Sequence, residues 1–167
     1  MTSPPGDRAS VSVRVLVEPA EAFRIFTEEI DRWWRGGARF RIGRNRSVVH
    51  LEPKLGGRLF ESFETAAGHE TKETGRVTSF EPPARLVLEW RAVNFAPDEK
   101  TEVEVLFEPS GAGTLVTVHH RGWSRLRADH PVRHGADVPR FISNMGMWWA
   151  DLMTSLRLLA EGDQAPR

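Results

Sequence analysis

Hydrophobic positions change their spacing several times along the chain, and each change marks an element. Val11, Val13, Val15 and Val17 alternate with polar residues such as Ser12 and Arg14, which puts four β-branched side chains on one face of a strand. Pro19 then stands where a helix can begin without its N–H, and Ala22, Phe23, Phe26, Ile30, Trp33 and Trp34 recur at helical spacing. Gly36-Gly37 ends that helix or helix pair. Residues 47–121 read as six short strands separated by Gly56-Gly57, Ala66-Ala67-Gly68, Pro82-Pro83 and Gly111-Ala112-Gly113. Within them Leu86, Leu88 and Trp90 alternate with Val87, Glu89 and Arg91, and Val103, Val105 and Phe107 alternate with Glu102, Glu104 and Glu108. The turn at 109–113 predicts a hairpin into a strand whose Val116, Val118 and His120 share a face.

Residues 124–139 are rich in Arg, His, Asp and Pro without periodicity and are expected to form a long loop. Beyond them Phe141, Met145, Trp148, Trp149, Leu152, Met153, Leu156 and Leu159 recur at steps of three and four, predicting an amphipathic helix that ends near Gly162. The order predicts an α+β domain over residues 10–161: a curved antiparallel sheet of about seven strands wrapped around a long C-terminal helix, with two short helices after the first strand. Residues 1–9 and 162–167 are too poor in apolar groups to order themselves and are expected to be loose tails.

Composition narrows the function classes. Basic and acidic residues balance at 23 each, which offers no global attraction to nucleic acid or to an anionic membrane. No cysteine is present, so disulfides, thiolate metal sites and cysteine nucleophiles are excluded. The N-terminal residues lack a signal-peptide core and no apolar run approaches the ~20 residues of a membrane span, so a cytoplasmic protein is expected. Tyrosine is absent whereas Trp occurs six times and Phe nine, which predicts a bulky interior almost free of hydroxyls.

Several motifs occur in a recognisable order: Gly56-Gly57-Arg58-Leu59-Phe60-Glu61, Gly75-Arg76-Val77, the run from Phe80 through Pro82-Pro83 to Trp90, His120-Arg121-Gly122-Trp123 and Gly146-Met147-Trp148-Trp149. Together they resemble the SRPBCC superfamily, in the branch named after the activator of heat-shock protein 90 ATPase, from about Val11 to Ala160. The resemblance implies a START-like or Bet v 1-like helix-grip fold, whose members bind hydrophobic small molecules, act as cyclases or dehydratases, or serve chaperones and stress responses. No counterpart is expected here of the domain that precedes this one in the eukaryotic co-chaperone, so the branch name is not expected to carry its ATPase-activating role.

Candidate chemistry is sparse. His130 and His134 have metal-ligand spacing, but Pro131 and the loop context leave them a solvated pair with no third ligand, and no metal or cofactor is expected. His120 points inward by its alternation with Val116 and Val118, either as a satisfied core histidine or as an acid–base group in a cavity. Glu61, Glu89, Glu102 and Glu104 are expected to face solvent. Six arginines (Arg32, Arg35, Arg39, Arg41, Arg44, Arg46) fall between residues 32 and 51 without an acid. They read either as a solubilising loop or, through Arg39, Arg41 and Arg44, as an anion-attracting rim. No nucleophile elbow or phosphate loop occurs.

The leading expectation is a protein that binds a lipid-like or polycyclic molecule in a cavity lined by Trp33, Trp34, Phe40, Trp90, Phe107, His120, Trp149 and Met153. Two alternatives stay open: a cyclase or dehydratase using His120 in the same cavity, and a chaperone-type interaction module whose aromatics fill the core. Nucleic acid and membrane are not expected partners, and a homodimer is open.

Overall fold

The computed structural model describes residues 7–43, 46–91, 95–96, 98–123, 126 and 138–162. Its elements follow the order β1 (Arg8–Val15), α1 (Pro19–Glu28), α2 (Ile30–Trp33), β2 (Ser47–Leu51), β3 (Arg58–Thr65), β4 (Gly68–Glu81), β5 (Arg85–Trp90), β6 (Thr101–Ser110), β7 (Gly113–Arg121) and α3 (Val138–Ala160). The seven strands form one antiparallel sheet in the order β1-β7-β6-β5-β4-β3-β2, a meander with β1 laid against its last strand. This is the α+β helix-grip architecture that the periodicities predict.

β1 begins three residues before the alternating valines, because the register continues outward from Val11↔Val118 to Ala9↔His120 and Arg8↔Arg121. At the far end of the same pairing, a Cβ on Gly113 would stand 2.1 Å from the carbonyl oxygen of Val15, so only glycine lets β7 start there. β1 and β2 are opposite edges of the sheet, and α1 and α2 fall between them in the chain.

The concave face carries the core. Val103, Val105, Phe107, Val116, Val118, Leu86 and Leu88 from the sheet meet Phe23, Phe26, Ile30 and Trp33 from α1 and α2 and Trp149, Leu152, Met153 and Leu156 from α3. Phe107 touches both Phe23 and Phe26, with ring centroids 5.0 and 5.6 Å apart. The convex face is held by ion pairs: Glu104 receives Arg85 at 2.7 Å and Arg121 at 2.8 Å. Burial favours the neutral form of the Glu104 carboxyl, but the two arginine bonds outweigh it and hold its pKa below the ordinary value. His130 and His134 lie outside the described residues, as does Arg44.

Candidate functional site

The space between α3 and the sheet is divided. Trp149, Leu152, Met153 and Leu156 are buried in the core cluster, each at most 1% exposed, whereas beneath Trp148 an open-mouthed pocket of about 420 Å3 remains. Its walls come from residues 34–42, from β2 and β3, from the middle of β4 at Thr74, from the end of β5 at Trp90 and from Trp148 of α3. Trp34, Trp90, Trp148 and Phe40 supply aromatic surface, Val49 and Leu59 an aliphatic floor, and the exposed Ala38, Arg39 and Ile42 a rim. Trp34 and Trp90 stack with centroids 6.1 Å apart, and Trp148 meets both edge-on while lying over Phe40 at 5.6 Å.

Residues 34–43 close one side, and their position is fixed by polar contacts. The indole N–H of Trp34 donates to the carbonyl of Phe40, and that of Trp148 to the carbonyl of Arg39, each at 3.0 Å. Arg41 is the hub of the segment. Its Nη1 donates to the Asp31 carboxylate at 2.6 Å and to the Ser47 carbonyl at 2.9 Å. Its Nη2 donates to the carbonyls of Asp31 and Trp34, and its Nε to that of Arg35. These five acceptors use all five N–H groups of the guanidinium. Arg41 therefore has no donor left for an anion, contrary to the rim expected of it. Its acceptors are chiefly backbone carbonyls, which no arrangement of acids in the sequence reveals. Arg39 is exposed, lies over the Phe40 ring at 5.2 Å and pairs with Asp151 at 2.8 Å.

Of the eight residues expected to line a cavity, Trp34, Phe40 and Trp90 do so. Trp33, Phe107, His120, Trp149 and Met153 sit in the packed core behind it, each at most 2% exposed. His120 illustrates the difference. Trp149 donates its indole N–H to Nδ1 at 3.0 Å, so the proton belongs on Nε2, which donates to Thr101 Oγ1 at 2.7 Å. Burial alone pushes its pKa well below the usual histidine value. Both ring nitrogens are occupied, which is the satisfied core histidine of the two readings and leaves the imidazole no free nitrogen.

Two polar residues that do line the pocket were not anticipated. Glu61 is 6% exposed and lies on the concave side of β3, opposite Val49 of β2. Its Oε2 accepts the N–H of Ile42 at 2.8 Å and its Oε1 that of Gly43 at 3.0 Å. The expectation that Glu61 faces solvent fails because Phe60, the neighbouring apolar residue, is the one turned outward, stacked on His50 at 4.6 Å and under Arg58 at 4.5 Å. The usable signal was Leu59, two positions before Glu61 and necessarily on its face. Thr74 owes its place to a β-bulge: Leu59 pairs with Gly75 and Phe60 with Glu73, leaving Thr74 without a partner across the ladder. Its hydroxyl reaches the Leu59 carbonyl only at 3.5 Å. Gly75 is required beside it, since a Cβ there would stand 2.7 Å from the carbonyl oxygen of Glu89.

Among the described residues no cluster of three His, Asp or Glu could hold a metal, and no helix is long and apolar enough to cross a membrane.

No curated protein matches the chain. Solved structures do. Protein MLL2253 from Mesorhizobium loti superposes with a TM-score of 0.63 at 18% identity, over 94% of this chain and 98% of its own. The Aha1 dimer from Colwellia psychrerythraea gives 0.62 at 16% identity, over 94% and 98%. DynU16, a protein of the dynemicin biosynthetic locus, gives 0.62 at 18% identity, over 96% of this chain and 49% of its own. At these identities the likeness establishes the fold, and that fold is compatible with ligand binding. The family model described as "Activator of Hsp90 ATPase homolog 1-like protein" matches residues 17–143. The chain belongs to that family, within the SRPBCC superfamily.

Proposed function

We propose that this protein binds a hydrophobic, planar small molecule in the pocket beneath Trp148. The observation that carries the reading is that three indoles and a phenyl ring converge on an open space of about 420 Å3 instead of filling it, although the core side chains beside them are buried. Closely packed aromatics would collapse such a space unless something held the walls apart. Here the Arg41 hub and the Trp34 and Trp148 indole bonds do so. The volume lies in the range of small-molecule sites, roughly 300–1,000 Å3. DynU16's origin in a biosynthetic locus is in keeping with this reading.

The test is a titration with the neutral probe 2-methoxynaphthalene, followed through the indole 1H–15N signals. Shifts confined to Trp34, Trp90 and Trp148, with Trp123 and Trp149 unmoved, are expected. Saturable shifts absent from all six tryptophans would overturn the reading.

A homodimer is a second reading, supported by the Colwellia psychrerythraea neighbour having been solved as a dimer. Sedimentation at micromolar concentration decides it.

A further inference from the structure

The pocket's polar groups say more about its occupant than its walls do. Glu61 is a buried carboxylate on an otherwise apolar floor, and no Lys or Arg among the described residues lies within ion-pair distance of it. Each of its oxygens accepts one backbone N–H. A carboxylate offers about four lone-pair sites, so roughly half its accepting capacity is unused. The two arginines on the wall do not neutralise it: Arg41 is paired with Asp31, and Arg39 with Asp151. Thr74, aimed by its bulge and weakly engaged, adds a hydroxyl on the neighbouring strand.

We propose that Glu61 is the specificity-determining residue of this pocket and that Thr74 assists it, so that the ligand is a planar apolar molecule bearing a hydroxyl donor. The inference rests on the pocket reading above and deepens it. A buried carboxylate accepts a short, charge-assisted bond from a hydroxyl. It binds an ether of the same shape less tightly, because the ether brings no donor to the carboxylate's remaining lone pairs. It rejects a ligand carboxylate by charge repulsion, so a fatty or aromatic acid is the wrong head group. The anion-attracting rim expected from the arginine run is thus replaced by a site of opposite preference.

The experiment compares 2-naphthol, 2-methoxynaphthalene and 2-naphthoate on the intact protein by the same indole NMR titration. The expected result is that 2-naphthol binds about tenfold more tightly than the ether and that 2-naphthoate is weaker still. In Glu61→Gln the naphthol preference falls to about threefold or less while ether affinity is retained, and Thr74→Val lowers the preference by a smaller factor. A role of Glu61 confined to holding Ile42 and Gly43 would move both probes together and would overturn the proposal. Equal binding of naphthol and ether to the wild-type protein overturns it as well, without need of a variant, while leaving the pocket reading standing. Failure of all three probes to bind overturns both.

Discussion

Trp149 on α3 and His120 on β7 are joined by a hydrogen bond of 3.0 Å from the indole N–H to Nδ1, fully buried at both ends. That bond ties the terminal helix to the sheet and fixes the tautomer that serves Thr101. Trp149→Phe keeps most of the apolar surface but leaves Nδ1 buried and unpaired, a loss of about 1–3 kcal/mol. Thr101→Val is expected to cost a similar amount from the other side of the ring. Denaturant unfolding measures both, and long-range 1H–15N correlations of the wild-type imidazole should show the proton on Nε2. A proton on Nδ1 would contradict the geometry.

The same histidine sets the response to acid. Its folded pKa lies well below the ordinary value of 6.5, so between the two values the unfolded chain binds the extra proton and stability falls as pH falls. The contribution is complete above about pH 6.5 and declines below it by about 1.4 kcal/mol per pH unit. His119, lowered by burial and then by Arg8, acts in the same direction. Glu104 enters lower: its pKa is depressed from 4.5, so its contribution is present above that value and is lost as pH drops through the depressed one. Unfolding free energy should decline first below pH 6.5 and again below pH 4.5. A flat profile from pH 7.5 to 5.5 would refute the burial of a neutral His120.

Arg41 and Arg39, two positions apart, should behave oppositely. Arg41 satisfies four backbone carbonyls and the Asp31 carboxylate, and Arg41→Lys retains the charge without the planar fork. A loss of about 3 kcal/mol or more is expected, with the indole signals of Trp34 and Trp148 broadened as residues 34–43 loosen. Arg39→Ala removes one exposed pair and should cost no more than about 1 kcal/mol. Thermal unfolding of the two variants side by side is the measurement.

What the sequence made legible was whatever periodicity encodes. Alternation along 101–107 and 114–120 placed the inner faces of β6 and β7, and the three-and-four spacing from Phe141 to Leu159 placed α3. The site was less legible for three physical reasons. Adjacent residues on a helix point about 100° apart, and the apolar stripe of α3 contains both Trp148 and Trp149, so hydropathy alone does not say which faces the pocket and which the core. At β3 polarity is inverted, with Phe60 outside and Glu61 inside, and a rule that sends charge to solvent assigns both wrongly. Arg41 bonds mostly to carbonyls, which every residue has, so its burial leaves no mark in composition.

The division between pocket and core makes a final pair of substitutions informative. Trp90 stacks on Trp34 at the pocket wall, whereas Met153 is buried in the core and is not among the residues that line the cavity. Met153→Ala should destabilise by about 2–5 kcal/mol through the cavity it leaves. Affinity for 2-methoxynaphthalene should nonetheless stay within about twofold of wild type, because the probe never meets that side chain. Trp90→Ala removes an aromatic face from the wall and should weaken the probe roughly tenfold. Binding and unfolding measured on both variants separate the two regions: if Met153→Ala, while still folded, loses probe binding as severely as Trp90→Ala, then the probe reaches into the space under Trp149, and the buried core opens in solution.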